Sequence, residues 1–370
     1  MRTLLSIILV IHLTTLYGQK ETIELSLGIN STSEIHTASQ NQESFTTARN
    51  LLDTRIEVLF QMRSMRLKFF SNIGFISGSS ISERIGDLYL ASSIDAQNAI
   101  RMQNLWLGAE NKAETIEIRI GNQAVDDMFM VSDRSNYFIH GAAAYVFTFS
   151  MNAPQWPVAS LGFYSRVQLN PYEKIHFGVY GSDPNVTNES IKSNKFSIRT
   201  SYEGALKIIE WEKSKGNNLL KLGFFSDNNR FGFSPVSESS LNALYAVKEG
   251  ILSSNQSQTK ISYHLAASKA LDAKTAPIIY DLRAGLFFEP LNWRNEMTFA
   301  LGYFYPRINA KQLEQFNLIS ESFGELSAKY PLSSKATIQV SAQYIEGAGA
   351  LNGYNSDPSF LGVFRLHLSL

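Results

Sequence analysis

Leu361-Gly362-Val363-Phe364-Arg365-Leu366-His367-Leu368-Ser369-Leu370 is the stretch that decides the fold. Phe364, Leu366, Leu368 and Leu370 fall on one side of an extended chain, and Arg365, His367 and Ser369 on the other. Successive strand side chains point to opposite faces, so strict alternation requires apolar surroundings on one face and water on the other. A chain that repeats this pattern from end to end satisfies it as a sheet closed on itself, greasy outside and wet inside. The expectation is an all-β fold, a transmembrane, antiparallel, up-and-down β-barrel of about sixteen strands.

The pattern recurs upstream. Ile56, Val58 and Phe60 alternate with Arg55, Glu57 and Gln61; Leu67 and Phe69 with Arg66 and Lys68; Ile116, Ile118 and Ile120 with Glu117, Arg119 and Gly121. Further candidates are 161–169, 175–180, 196–202, 219–225, 260–268, 278–288, 297–305, 323–330 and 337–344, with weaker runs near Leu105, Tyr145, Ile208 and Leu244. Turn-forming residues punctuate them at Asn170-Pro171, 226–229, 290–293 and 331–334. The polar segment 19–50 lacks either period and reads as a leader inside the barrel or the periplasm. Residues 51–370 then form a single barrel. Its longest non-alternating stretch, 124–157, reads as an inserted loop folded into the mouth or lumen.

Composition narrows the class. Arg2, an apolar run from Leu4 to Leu13 and the small Gly18 describe an export signal, residues 1–18, cleaved before Gln19. Beyond it no run approaches the ~18 to 20 apolar residues of a spanning helix. There are 33 basic and 33 acidic residues, which removes the electrostatic case for nucleic acid as a partner. Cysteine is absent, so no disulfide framework is expected. The six histidines lack metal-site spacing, and neither a nucleophile elbow nor a phosphate loop occurs, so no metal, cofactor or enzymatic activity is expected.

One block of words is more specific than the alternation. Ile118-Arg119-Ile120-Gly121 is followed by Asp126, Asp127 and Phe129, then Asn152-Ala153-Pro154-Gln155-Trp156-Pro157, Ala159-Ser160-Leu161-Gly162, and Gly178-Val179-Tyr180-Gly181-Ser182-Asp183-Pro184. In order and spacing this resembles the central signature of the carbohydrate-selective outer-membrane porins of the OprB type. Looser echoes run from Gly285-Leu286-Phe287 to the last strand. Asn122, where that family often carries lysine, and the terminal Leu370, where such barrels usually end on an aromatic, are departures. The resemblance implies an outer-membrane, sixteen-stranded porin that passes monosaccharides such as glucose, with neutral sugars, outer-membrane lipid and the barrel-assembly machinery as partners, as a homotrimer or a monomer.

A pore for a neutral polyol needs donors, acceptors and aromatic faces at a constriction, and no covalent chemistry. Paired charges of opposite sign supply both hydrogen-bonding senses without attracting one class of ion. Glu117 and Arg119 share one lumen face by parity; Tyr164, Arg166 and Gln168 share another; Asp281 and Arg283 repeat the pairing on a distant strand. Trp106 and Trp156 are the stacking candidates, Trp211 and Trp293 the interfacial girdle. Asp126 and Asp127 either shape the constriction or cap the loop. A general diffusion porin, a secreted glycan-binding β-sandwich and an outer-membrane barrel enzyme using Ser262 and His264 are the alternatives.

Overall fold

The alternating runs become strands with their apolar residues facing out. In one of them Ile116, Ile118 and Ile120 are exposed, 50%, 44% and 60%, while Glu117 between them is buried. The computed structural model describes residues 9–11, 22–143, 153–182, 204–228, 241–255, 259–272, 276, 278–290, 297–309, 321–348 and 358–370. Its strands are β1 (Leu9–Ile11), β2 (Thr22–Gln40), β3 (Glu43–Gln61), β4 (Met65–Gly78), β5 (Ala99–Asn111), β6 (Ile116–Gln123), β7 (Ser160–Asn170), β8 (Glu173–Ser182), β9 (Gly204–Lys215), β10 (Asn218–Asp227), β11 (Leu241–Asn255), β12 (Thr259–Ala270), β13 (Ile278–Pro290), β14 (Thr298–Ile308), β15 (Ser322–Ser333), β16 (Ala336–Glu346) and β17 (Ser359–Ser369).

From β2 to β17 each strand pairs antiparallel with the next. β17 returns to β2, with Phe360 opposite Ser39 and Ser369 opposite Asn30, which closes a sixteen-strand barrel and leaves it no free edge. The short β1 pairs with Ile23 to Leu25 on the overhang of β2 beyond β17. Among the described residues no helix is long and apolar enough to cross a membrane.

The two ends of the barrel differ. The described short connections 62–64, 112–115, 171–172, 216–217 and 334–335 lie at one end. The inward segments 79–98 and 124–143 leave from the other end, which also carries the two-residue turn Asn41-Gln42, whose φ values of 52° and 64° match a type I′ hairpin. Bacterial outer-membrane barrels keep their short turns on the periplasmic side.

The expectation for 19–50 is corrected: its described residues, 22–50, are not a leader but the first wall of the barrel, with all of β2 paired to β3 from Thr22–Gln61 to Gln40–Glu43. The reason lies in its outer face. Ser31, Ser33, Thr37 and Ser39 occupy outward positions of β2, so alternation of grease with polarity fades. Strands of 19 residues exceed the ~9 to 11 that span a bilayer, and the excess needs no apolar face. The runs near Leu105, Ile208 and Leu244 are strands β5, β9 and β11. Tyr145, the candidate 196–202 and Trp293 lie outside the described residues.

Two segments fold inward and build the core. Residues 124–143 pack Val125, Phe129 and Met130 against Tyr164, Tyr180, Leu206, Ile208, Phe225 and Tyr245 on the wall from β7 to β11. Phe138 and Ala142 go on to meet Phe287, Phe304, Phe323 and Ile345 on β13 to β16. The second segment, 79–98, carries the helix α1 (Ile81–Ile85), capped by Ser80 accepting from the Glu83 N–H and ended by Gly86 at φ 70°. Its Ile81, Ile85 and Tyr89 join the same core. The capping pattern Ser80-x-x-Glu83 was the available signal for this element.

Candidate functional site

The lumen wall of β4 to β7 carries a charged and aromatic network. Glu117 Oε1 accepts from Arg119 Nε at 2.6 Å and from Nη2 at 2.5 Å. Glu117 Oε2 stands 3.3 Å from Arg166 Nη2, which also donates to Glu110 at 2.8 Å. Lys68 reaches Glu110 at 3.3 Å, and Arg66 reaches Glu114 at 2.6 Å. The Arg119 guanidinium lies 4.4 Å from the Trp106 ring centre and 5.3 Å from that of Tyr164, within cation–π range. Trp106 stacks on Phe70 with centroids 5.2 Å apart, and the Tyr164 hydroxyl bonds His176 Nδ1 at 2.9 Å.

Register explains why these groups meet. Glu117 pairs with Arg166 and Arg119 with Tyr164 across β6 and β7. Trp106 pairs with Phe70 and with Gly121 across β4, β5 and β6. Gly121 has φ 142°, and a Cβ there would lie 2.3 Å from the Leu105 carbonyl oxygen, so only glycine lets β6 approach β5 beneath Trp106. The half-buried carboxylate–guanidinium pairs hold both partners in fixed rotamers, which leaves a rigid row of acceptors and donors along the passage, backed by the buried rings of Trp106 and Tyr164.

Five sequence candidates thus come together: Glu117, Arg119, Arg166, Tyr164 and Trp106. Gln168 sits nearer the short turn, opposite Lys174, and its backbone N–H bonds Thr115 O at 2.7 Å. Asp281 and Arg283 are buried on a different wall, where Arg283 donates to the carbonyls of Ala142 at 3.0 Å and Ala143 at 3.4 Å. That pair belongs to the seat of the inserted loop, not to this network. Asp126 caps the loop by accepting from the Trp156 N–H at 3.2 Å. Burial, with Asp127 beside it, pushes its carboxyl up to about 7. Asp127 accepts from Asn104 at 2.9 Å. Trp211 shares the outward parity of Ile209. Phe70, Lys68 and Glu110 were missed, although the parity of Arg66 and of Trp106 pointed to them.

The opposite wall is occupied by loop docking. Glu325 accepts from the backbone N–H of Ile139 at 2.7 Å, of His140 at 3.1 Å, and from Ser341 at 2.7 Å. Glu210 accepts from the Met130 N–H at 2.8 Å. Ser132 bonds Glu249, and Arg134 donates to Ser262. His264 bonds Glu249 at 3.0 Å. Ser262 and His264 therefore anchor the loop on separate partners. His140 stacks on Phe323 at 3.6 Å, and burial holds its imidazole down at about 3. Segment 79–98 is seated similarly: Glu321 accepts from the Leu88 N–H at 2.9 Å, and Arg49 pairs with Asp95 at 2.8 Å. His176, Glu210 and Glu212 bring potential metal-ligand atoms within 4.8 Å of one another. Lys221 Nζ stands 3.1 Å and 3.3 Å from the two carboxylates, a cation already in that position.

A family model described as carbohydrate-selective porin, OprB family, matches residues 65–370. Among solved structures, OprB of Pseudomonas putida at high pH superposes with a TM-score of 0.77 at 14% identity, covering 94% of this chain and 94% of that one. Salmonella typhi OmpF in complex with daunomycin gives 0.63 at 8% identity over 94% and 98%. The trimer form of OmpT from Vibrio cholerae gives 0.55 at 10% identity over 94% and 99%. At such identities these structures establish the fold alone. No curated protein sequence matches the chain.

Proposed function

The chain belongs to the OprB family of carbohydrate-selective porins, and on that premise we propose that the β4–β7 wall is the selectivity filter, through which neutral monosaccharides such as glucose diffuse passively. The family and the barrel place the protein in the outer membrane, where the exposed belt meets lipid. In this reading residues 1–18, with β1 among them, are the export signal cleaved from the mature chain, which the barrel-assembly machinery inserts. Glu117, Arg119 and Arg166 present acceptors and donors to sugar hydroxyls, while the buried rings of Trp106 and Tyr164 hold the Arg119 guanidinium in place.

The observation that carries the reading is the placement of Arg119. Its guanidinium is chelated by Glu117 and lies over two aromatic rings, so it is fixed, charge-compensated and still 16% exposed along its side chain. A compensated pair of this kind hydrogen-bonds a neutral solute without concentrating ions of either sign. Trimeric association, one of the two states the sequence leaves open, has support from the trimer form of OmpT, and cross-linking in native membranes tests it.

Liposome swelling with the purified protein tests the function. Hexoses are expected to enter faster than amino acids of matched size, with a rate that saturates as sugar rises. Equal, unsaturating rates for both solute classes would make this a general diffusion porin.

A further inference from the structure

Beside the network just described, on the β3–β5 wall under the start of the inserted loop, lies a recess of about 130 Å³. Asp53, Arg55, Asn72, Gln103, Asp127 and Trp156 line it. Three of these side chains end in buried polar atoms with no hydrogen-bond partner: Asp53 Oδ1, Asn72 Oδ1 and Gln103 Nε2. Their residues are only 5%, 7% and 3% exposed. The other Asp53 oxygen is held by Arg55 Nε at 2.9 Å. Asn104, also lining the recess, is fixed by the Ala124 N–H at 3.2 Å and by Asp127 at 2.9 Å.

The local backbone is shaped to make this recess. Asn72 pairs with Asn104, but Ile73 pairs with Met102, so Gln103 is the extra residue of a β-bulge. The bulge turns two consecutive side chains, Gln103 and Asn104, toward the interior, where plain alternation would send Gln103 to lipid. Gly74 completes the arrangement: a Cβ at that position would stand 2.1 Å from Gln103 Nε2, so the missing side chain is the space the amide occupies. Buried polar groups normally have partners, and three unpaired ones on side chains that line one recess mark a place for a solute that brings its own hydroxyls.

The geometry points to a hydroxyl-reading subsite for one neutral pyranose ring, in which Asp53 and Asn72 accept from sugar hydroxyls, Gln103 donates to one, and the Trp156 indole borders the ring. This deepens the proposed function and rests on it. Because the partners sit on three strands in fixed positions, the subsite distinguishes epimers, which a simple constriction passes alike.

The test is sugar-dependent current reduction in single reconstituted channels, with glucose, galactose and mannose as probes, on wild type, Asn72→Ala and Gln103→Ala. Each variant is first checked for the cold-detergent mobility of a folded barrel. Loss of one hydrogen bond is expected to raise the half-saturating concentration of the preferred hexose about five- to tenfold and to narrow the difference between epimers. Saturation in wild type with unchanged values in both variants would overturn the subsite, leaving the recess to water and the porin reading intact. A wild-type channel that no sugar saturates would remove that reading and this one together.

Discussion

Two walls of one lumen use the same residue types for different ends. On β5–β7, Glu117, Arg119 and Arg166 are bound to each other and face the passage. On β13–β16, Glu325 and Arg283 are bound to backbone groups of the inserted loop and face no passage at all. The difference teaches that an inward charge has two possible partners, a neighbouring side chain or an inserted segment. Only the first leaves the charge available to a solute.

In free energy the largest effect is expected on the docking wall. Glu325→Ala strips acceptors from two buried N–H groups, each worth roughly 1–3 kcal/mol, so the loop loosens and single-channel conductance rises about two- to threefold as the pore widens. Unchanged conductance would place the narrowest point elsewhere. Arg119→Ala on the passage wall comes next. Loss of a charge-assisted donor is expected to weaken sugar binding about tenfold or more, with a smaller change in potassium chloride conductance.

How much of this contrast was legible can be seen residue by residue. Parity placed Glu117, Arg119, Tyr164, Arg166 and Trp106 inside, and the family words brought all but Trp106 to one stretch. Parity placed Asp281 and Arg283 inside as well, but it carries no information on what folds back against them. The long loop was visible as an interruption of the alternation. Segment 79–98 was not, because its apolar Ile81, Ile85 and Tyr89 follow no strand period and are matched by wall residues such as Phe304 and Phe323 that read as ordinary strand positions. Gln103 was hidden by its bulge, which breaks the parity rule at a single residue.

A third prediction concerns pH and the seat of segment 79–98. Burial, with Asp95 adding repulsion, pushes the Asp87 carboxyl up to about 7, and Glu321 is also raised by burial and by Asp87. The folded seat therefore holds more protons than the free segment does. Its stabilising contribution is complete below the ordinary aspartate range near 4 and is lost as pH rises through about 7. Conductance fluctuations are expected to increase between pH 5 and pH 8, tested over about that interval, and Asp87→Asn should flatten the trend. A flat wild-type profile would show that the segment stays seated whatever the charge. The smallest effect is expected for Tyr164→Phe, which removes the hydroxyl bound to His176 and keeps the ring under Arg119; a change of about two- to threefold in sugar affinity is the scale of one neutral hydrogen bond.

The contrast between the walls is tested most directly by titrating glucose against single-channel current in Arg119→Ala and Glu325→Ala side by side. The account predicts that Arg119→Ala loses sugar saturation while its conductance stays close to wild type. Glu325→Ala should gain conductance while its remaining sugar response keeps the Arg119-dependent half-saturation. Equal loss of sugar saturation in both variants, or none in either, would contradict the division of the lumen into a wall that reads the solute and a wall that holds the loop.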